Sequence, residues 1–105
     1  IARIRRALAK QPQRLRQRLQ APGEAYPLIT APQVAKLFAA KEAIAKALGT
    51  GLGAQVGFHD IQLAHTAAGQ PTATVRGYPH YRVHLSLSDE GPYALAMAVV
   101  EAVQP

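Results

Sequence analysis

The sequence contains no cysteine and no tryptophan. Without cysteine, disulfide scaffolds and thiolate metal sites are excluded, which fits a reducing compartment. No apolar run approaches the ~20 residues needed to span a bilayer. The longest, from Tyr93 to Val100, suits a buried element. The first residue is Ile1 rather than methionine, and no secretory-signal layout opens the chain. Acidic residues are also scarce. There are 6 against 12 lysines and arginines, and the first of them is Glu24.

What is present describes one globular domain of 105 residues, 49% hydrophobic and 17% charged. A chain this short buries a smaller share of its surface than a large one, so core shared with neighbouring subunits is expected. The net charge of +6 is concentrated at one end. Arg3, Arg5, Arg6, Lys10, Arg14, Arg16 and Arg18 all precede the first acid. Such a segment attracts an anionic partner and speeds encounter with it. Nucleic acid, an anionic membrane and an acidic protein all satisfy that description.

Ile1, Ile4 and Leu8, then Leu15 and Leu19, recur at helical spacing. Pro12 cannot sit inside a helix without breaking it, so two short helices meet near Gln11. Residues 21–27 form a loop. Thr30 is a good N-cap with Pro32 in the first turn. Val34, Leu37, Phe38, Ile44 and Leu48 then form an apolar stripe that predicts a helix over about residues 31–48, stopped by Gly49. From Phe58 the period approaches two. Ile61 and Leu63, then Ala73 and Val75, then Val83, Leu85 and Leu87 alternate with polar residues, which reads as strands. Turns are expected at residues 68–71, 77–80 and 89–92. The final apolar run suits helix by composition, but its place after a tight turn favours a returning strand. The expected fold is α+β, with N-terminal helices followed by an antiparallel β meander.

Residues 38–51 read Phe-Ala-Ala-Lys-Glu-Ala-Ile-Ala-Lys-Ala-Leu-Gly-Thr-Gly. This block resembles the F-A-x-K-E-A-x-x-K-A-x-G-T-G signature of the holo-acyl-carrier-protein synthase family of 4′-phosphopantetheinyl transferases. Three further segments follow in the family's order. Phe58-His59-Asp60-Ile61 is similar to its F-x-D-I strand opening, Gly69-Gln70-Pro71 to its G-K-P turn, and residues 84–88 to its H-V-S-I-S strand. The resemblance covers nearly the whole chain and implies a 4′-phosphopantetheinyl transferase-like fold. It also implies a cytoplasmic enzyme that moves 4′-phosphopantetheine from coenzyme A to a serine of an acidic acyl carrier protein, in the service of fatty acid biosynthesis. Magnesium as cofactor, coenzyme A as donor and a homotrimer with sites between subunits are implied with it.

Glu42 and Lys46 stand four apart on one helix face, so both can reach a single site. A carboxylate is a hard oxygen ligand of the kind magnesium takes alongside substrate phosphates and water. The resemblance makes Glu42 the metal ligand, and Glu42 and Lys46 the catalytic residues, with Lys46 beside the transferred phosphate. It implies Lys46, Gly69, Pro71 and Ser88 as contacts to coenzyme A, and Arg3 and Arg14 as contacts to the carrier protein. The family's second metal ligand lies in a G-x-D strand just ahead of the helix that Ile1 begins, so the chain is expected to be trimmed at its start. Leu37, Gln70 and Asp89 stand where the family often has Arg, Lys and His, and each removes a cationic partner for a phosphate. Lys41, beside the apolar stripe, reads equally as a snorkelling stem or as a phosphate contact.

His84, Ser86 and Asp89 do not make a hydrolase triad, because Ser86 sits on a regular strand without a strained elbow. His59, His65, His80 and His84 lack metal-ligand spacing. The alternative function is a non-enzymatic basic nucleic-acid-binding module, suggested by a pI near 10.2. It has no recognisable binding motif and no aromatic residues among its basic helices for stacking. A membrane-surface helix is weakened by the absence of Trp and Phe from residues 1–20.

Overall fold

The computed structural model describes residues 1–28 and 30–103. Two short helices open the chain, α1 (Ala2–Lys10) and α2 (Pro12–Leu19). Gln11 leaves helical geometry at φ −142°, and Pro12 starts the second helix, where its missing N–H costs nothing. Ile4, Leu8 and Leu15 lie partly buried against the core, and Leu19 is fully buried. The basic side chains point outward as expected, with one exception. Arg16 turns back to donate from Nε to the Leu28 carbonyl at 2.7 Å.

The long helix α3 (Ala31–Ala47) is the axis of the fold. Thr30 caps it in a reciprocal box: its Oγ1 accepts from the Gln33 N–H at 3.3 Å, while Gln33 Oε1 accepts from the Thr30 N–H at 2.9 Å. The helix ends at Gly49, whose φ of 84° lies in the left-handed region that favours glycine. Val34, Leu37, Ala40, Ile44 and Ala45 are buried along it.

The strands form two antiparallel hairpins. The first pairs β1 (Ile61–His65) with β2 (Pro71–Val75), with Ile61 opposite Val75 and His65 opposite Pro71. The second pairs β3 (Tyr81–Glu90) with β4 (Tyr93–Ala102). β2 packs against β3, but the hairpins are not joined by a backbone ladder among the described residues. The expected α+β architecture therefore stands, with the meander divided in two. The apolar run at residues 93–100 is a strand, as the tight turn before it suggests.

Two boundaries differ from expectation. Phe58–Asp60 is a single 3-10 turn rather than the start of β1, because the Asp60 carboxylate accepts the Gly57 N–H at 2.8 Å and closes it. Asp89 and Glu90 continue β3, paired with Ala94 and Tyr93. The connection shrinks to Gly91 and Pro92, with Gly91 at φ 55°.

α3 packs on the inner face of the second hairpin. That face carries Val83, Leu85 and Leu87 from β3, with Ala96 and Ala98 from β4. Small residues on β4 let the helix approach closely. The opposite face of β4 carries the large side chains: Tyr93, Leu95 and Met97 are 66–70% exposed and Val99 is 54% exposed. A contiguous apolar patch of this kind on a small domain marks an interaction surface.

Candidate active site

Glu42 lies half-buried on the edge of α3 that the core leaves open. It lines a cavity of about 470 Å³ together with Ile1, Arg3, Ile4, Phe38 and Ala94. The structure thus brings Arg3 and Glu42, 39 positions apart in sequence, to one cleft between α1 and α3. Glu42 has no hydrogen-bond or ion-pair partner among the described residues, so both of its oxygens are available. One turn on, Lys46 is exposed in the last turn of α3, where a cation suits the helix dipole.

The other expected contacts sit apart from this cleft in the single chain. Gly69 occupies the exposed β1–β2 turn, with φ 88° and its N–H donated to the Thr66 carbonyl at 2.9 Å. Pro71 is the first residue of β2. Ser88 is exposed on the outer face of β3, opposite Leu95. None of the three lines the Glu42 cavity. Arg14 lines a notch of about 280 Å³ at the α1–α2 corner with Lys10, Gln11 and Arg18, and its Nη1 donates to Gln11 Oε1 at 3.3 Å.

Two ion pairs were not legible in the sequence. Asp89 accepts from Lys36 at 2.8 Å, and this hydrogen bond raises the Lys36 ammonium above its ordinary range. A cation thus reaches the end of β3 from α3, one residue ahead of Leu37. Nearby, burial raises the Tyr26 phenol, whose ring stacks on His65 with centroids 5.1 Å apart. The second pair is Lys41 with Glu24, both side chains completely buried and 2.8 Å apart. Lys41 is neither a snorkelling stem nor free to meet a phosphate. Its Nζ donates to Glu24 Oε1 and to the carbonyls of Leu19 and Phe58. Burial lowers its ammonium below the usual lysine range, offset in part by Glu24.

The remaining candidates separate. His84 Nε2 faces Glu101 Oε1 at 3.1 Å on the outer face, whereas Asp89 pairs with Lys36, so no triad forms. No group of three or more His, Cys, Asp or Glu residues suited to a metal occurs among the described residues. Glu42 fits magnesium as a single hard ligand, since that ion binds through one or two carboxylates with water and substrate phosphates. Among the described residues no helix is long and apolar enough to cross a membrane.

A family model for the 4′-phosphopantetheinyl transferase superfamily matches residues 1–98. The chain belongs to this superfamily. A holo-[acyl-carrier-protein] synthase of Vibrio cholerae is 36% identical, the match covering 96% of this chain and 90% of the relative. The crystal structure of holo-[acyl-carrier-protein] synthase from Neisseria meningitidis superposes with a TM-score of 0.81 at 36% identity, over 95% of this chain and 90% of that one. The Helicobacter pylori enzyme, solved in complex with coenzyme A, gives a TM-score of 0.86 at 27% identity, over 95% and 92%.

Asp60, from the F-x-D-I segment, serves the scaffold. Its carboxyl is held below the ordinary range first by the Gly57 N–H and then by Arg76, whose Nε and Nη2 both donate to Oδ1. A carboxyl depressed on folding stabilises the native state above its unfolded pKa of ~3.9, and that stability is lost as pH falls through the lower folded value. Asp60→Asn is expected to melt below the wild type at pH 7, with the gap closing as pH drops below ~4. A gap that persists undiminished in acid would assign the effect to packing instead.

Proposed function

We propose that this protein is a holo-[acyl-carrier-protein] synthase, moving 4′-phosphopantetheine from coenzyme A to a serine of an acyl carrier protein. The observation that carries this reading is the shared cleft of Arg3 and Glu42, which sets a basic docking helix beside an unpartnered carboxylate. The serine oxygen forms a bond to the β-phosphorus of coenzyme A as the bond to adenosine 3′,5′-bisphosphate breaks. The serine proton leaves to a base. Glu42 would hold magnesium, which when bound neutralises the pyrophosphate charge. Lys46, exposed one turn away, sets a positive charge beside the transferred group. Gly69, Pro71 and Ser88 complete the coenzyme A site, and Lys36 neutralises the Asp89 carboxylate that stands where the family often has a histidine. Arg3 and Arg14 receive an acidic carrier in the cytoplasm, steering its approach as rim charges do.

The site is proposed to lie between subunits of a homotrimer. The single chain leaves Gly69, Pro71 and Ser88 away from Glu42, and it leaves the large residues of β4 facing solvent. Closing symmetric copies over that face would bury Leu95 and Met97 and supply the core a short chain lacks.

Incubated with coenzyme A and magnesium, the protein is expected to add ~340 Da to an apo acyl carrier protein, read by mass spectrometry, as transfer of the phosphopantetheine arm requires. Unchanged mass across several apo carriers would reject the reading. Light scattering at micromolar concentration is expected to give a trimer for the wild type and smaller species for Met97→Lys, whose ammonium would be buried unpaired at the interface. A wild type that is monomeric and fully active at that concentration would contradict the shared site.

A further inference from the structure

We propose that Lys41 is a positioning residue for transfer. Its buried ammonium fixes the rotation of α3 against the end of α2, so that Glu42 and Lys46 face a carrier docked on the arginine helices. This rests on the function proposed above.

The geometry around Lys41 is fully determined. An ammonium has three N–H groups, and all three are used at 2.8 Å. The acceptors come from three separate segments: the Leu19 carbonyl ending α2, Glu24 in the following loop, and the Phe58 carbonyl in the 3-10 turn before β1. Leu19 lies at a helix C-terminus, where carbonyls lack intrahelical partners and the dipole favours a cation. Glu24 is equally committed. Its Oε1 also accepts the Ala21 N–H at 2.9 Å, and Oε2 accepts the Leu63 N–H of β1.

Stability alone does not explain the pair. Well-packed apolar residues in place of a buried ion pair are often neutral or stabilising. What the pair supplies, and an apolar contact does not, is direction. A helix seated on smooth apolar contacts can turn about its axis, whereas three hydrogen bonds from one nitrogen allow a single orientation. Lys41 and Glu42 are consecutive, so any rotation that loosens the first displaces the second. With the Glu42 carboxylate ~6 Å from the helix axis, a rotation of ~20° moves it by ~2 Å. Misplacement of even ~1 Å can cost ~100-fold in rate.

The test compares the wild type with Lys41→Met, which keeps the unbranched stem but loses the charge. Turnover is normalised to the folded fraction at a temperature where the variant is folded. The expected result is a ~10–100-fold fall in turnover per folded molecule, with Michaelis constants for carrier and coenzyme A within ~3-fold of wild type. Amide exchange, which needs no substrate, should quicken in α3 and residues 19–24 while the β3–β4 hairpin keeps its wild-type rates. Wild-type turnover per folded molecule, or exchange quickened uniformly along the chain, would overturn the proposal. If Lys41→Met does not fold, Glu24→Gln keeps the ammonium and its two carbonyl acceptors, and a ~3–10-fold fall with the same split is expected. Wild-type turnover in that variant would equally overturn it. A wild type that modifies no apo carrier would reject the function instead, and the exchange comparison would still decide the fate of the clamp.

Discussion

Everything in this fold depends on how closely α3 lies against the second hairpin. Ala96 and Ala98 line the inner face of β4, and their small side chains bring the helix near the strand. The same alternation sends Tyr93, Leu95, Met97 and Val99 to the other side. β4 is therefore built with its small residues inward and its large ones outward, the reverse of a strand closing an independent core. The close packing of α3 and the exposed apolar face are one feature seen from two sides.

The same packing decides which residues of α3 remain for chemistry. Val34, Leu37, Ala40, Ile44 and Ala45 are enclosed, and Lys41 is enclosed with them by spending its charge on Glu24 and two carbonyls. Glu42 and Lys46 are left on the open edge. α1 crosses near Glu42 and contributes Arg3 to the cleft. The start of the basic segment and the open carboxylate thus share one cleft, an arrangement in keeping with the proposed meeting of an acidic carrier with a magnesium-bound pyrophosphate. A nucleic-acid module would need the arginines but has no use for an unpaired Glu42 beside them.

The sequence disclosed whatever is local. Thr30, Pro32 and Gly49 mark the two ends of α3 through capping and backbone conformation, and the alternation in residues 83–87 marks β3. The strand at residues 93–100 was legible only through the short turn before it, since its composition also suits a helix. The alternation does not reveal the 3-10 turn at Asp60 or the extension of β3 through Asp89, because the first is closed by the Asp60 carboxylate on Gly57 and the second by pairing with Ala94 across the hairpin. The Lys41–Glu24 pair was hidden for a stronger reason. A lysine beside an apolar stripe ordinarily sends its ammonium to water, and nothing local signals a carboxylate 17 positions away, in a loop. The separation of Gly69, Pro71 and Ser88 from Glu42 was likewise invisible, since it depends on where the hairpins lie around α3.

The central claim is that the open carboxylate of α3 is the chemical centre of a phosphopantetheinyl transferase. Glu42→Gln tests it most directly, since the change removes the charge while hardly altering volume. Transfer to apo carrier protein, followed by mass spectrometry across a magnesium titration, is expected to disappear. Circular dichroism and assembly should match the wild type. Transfer at the wild-type rate, with the wild-type dependence on magnesium, would contradict the account.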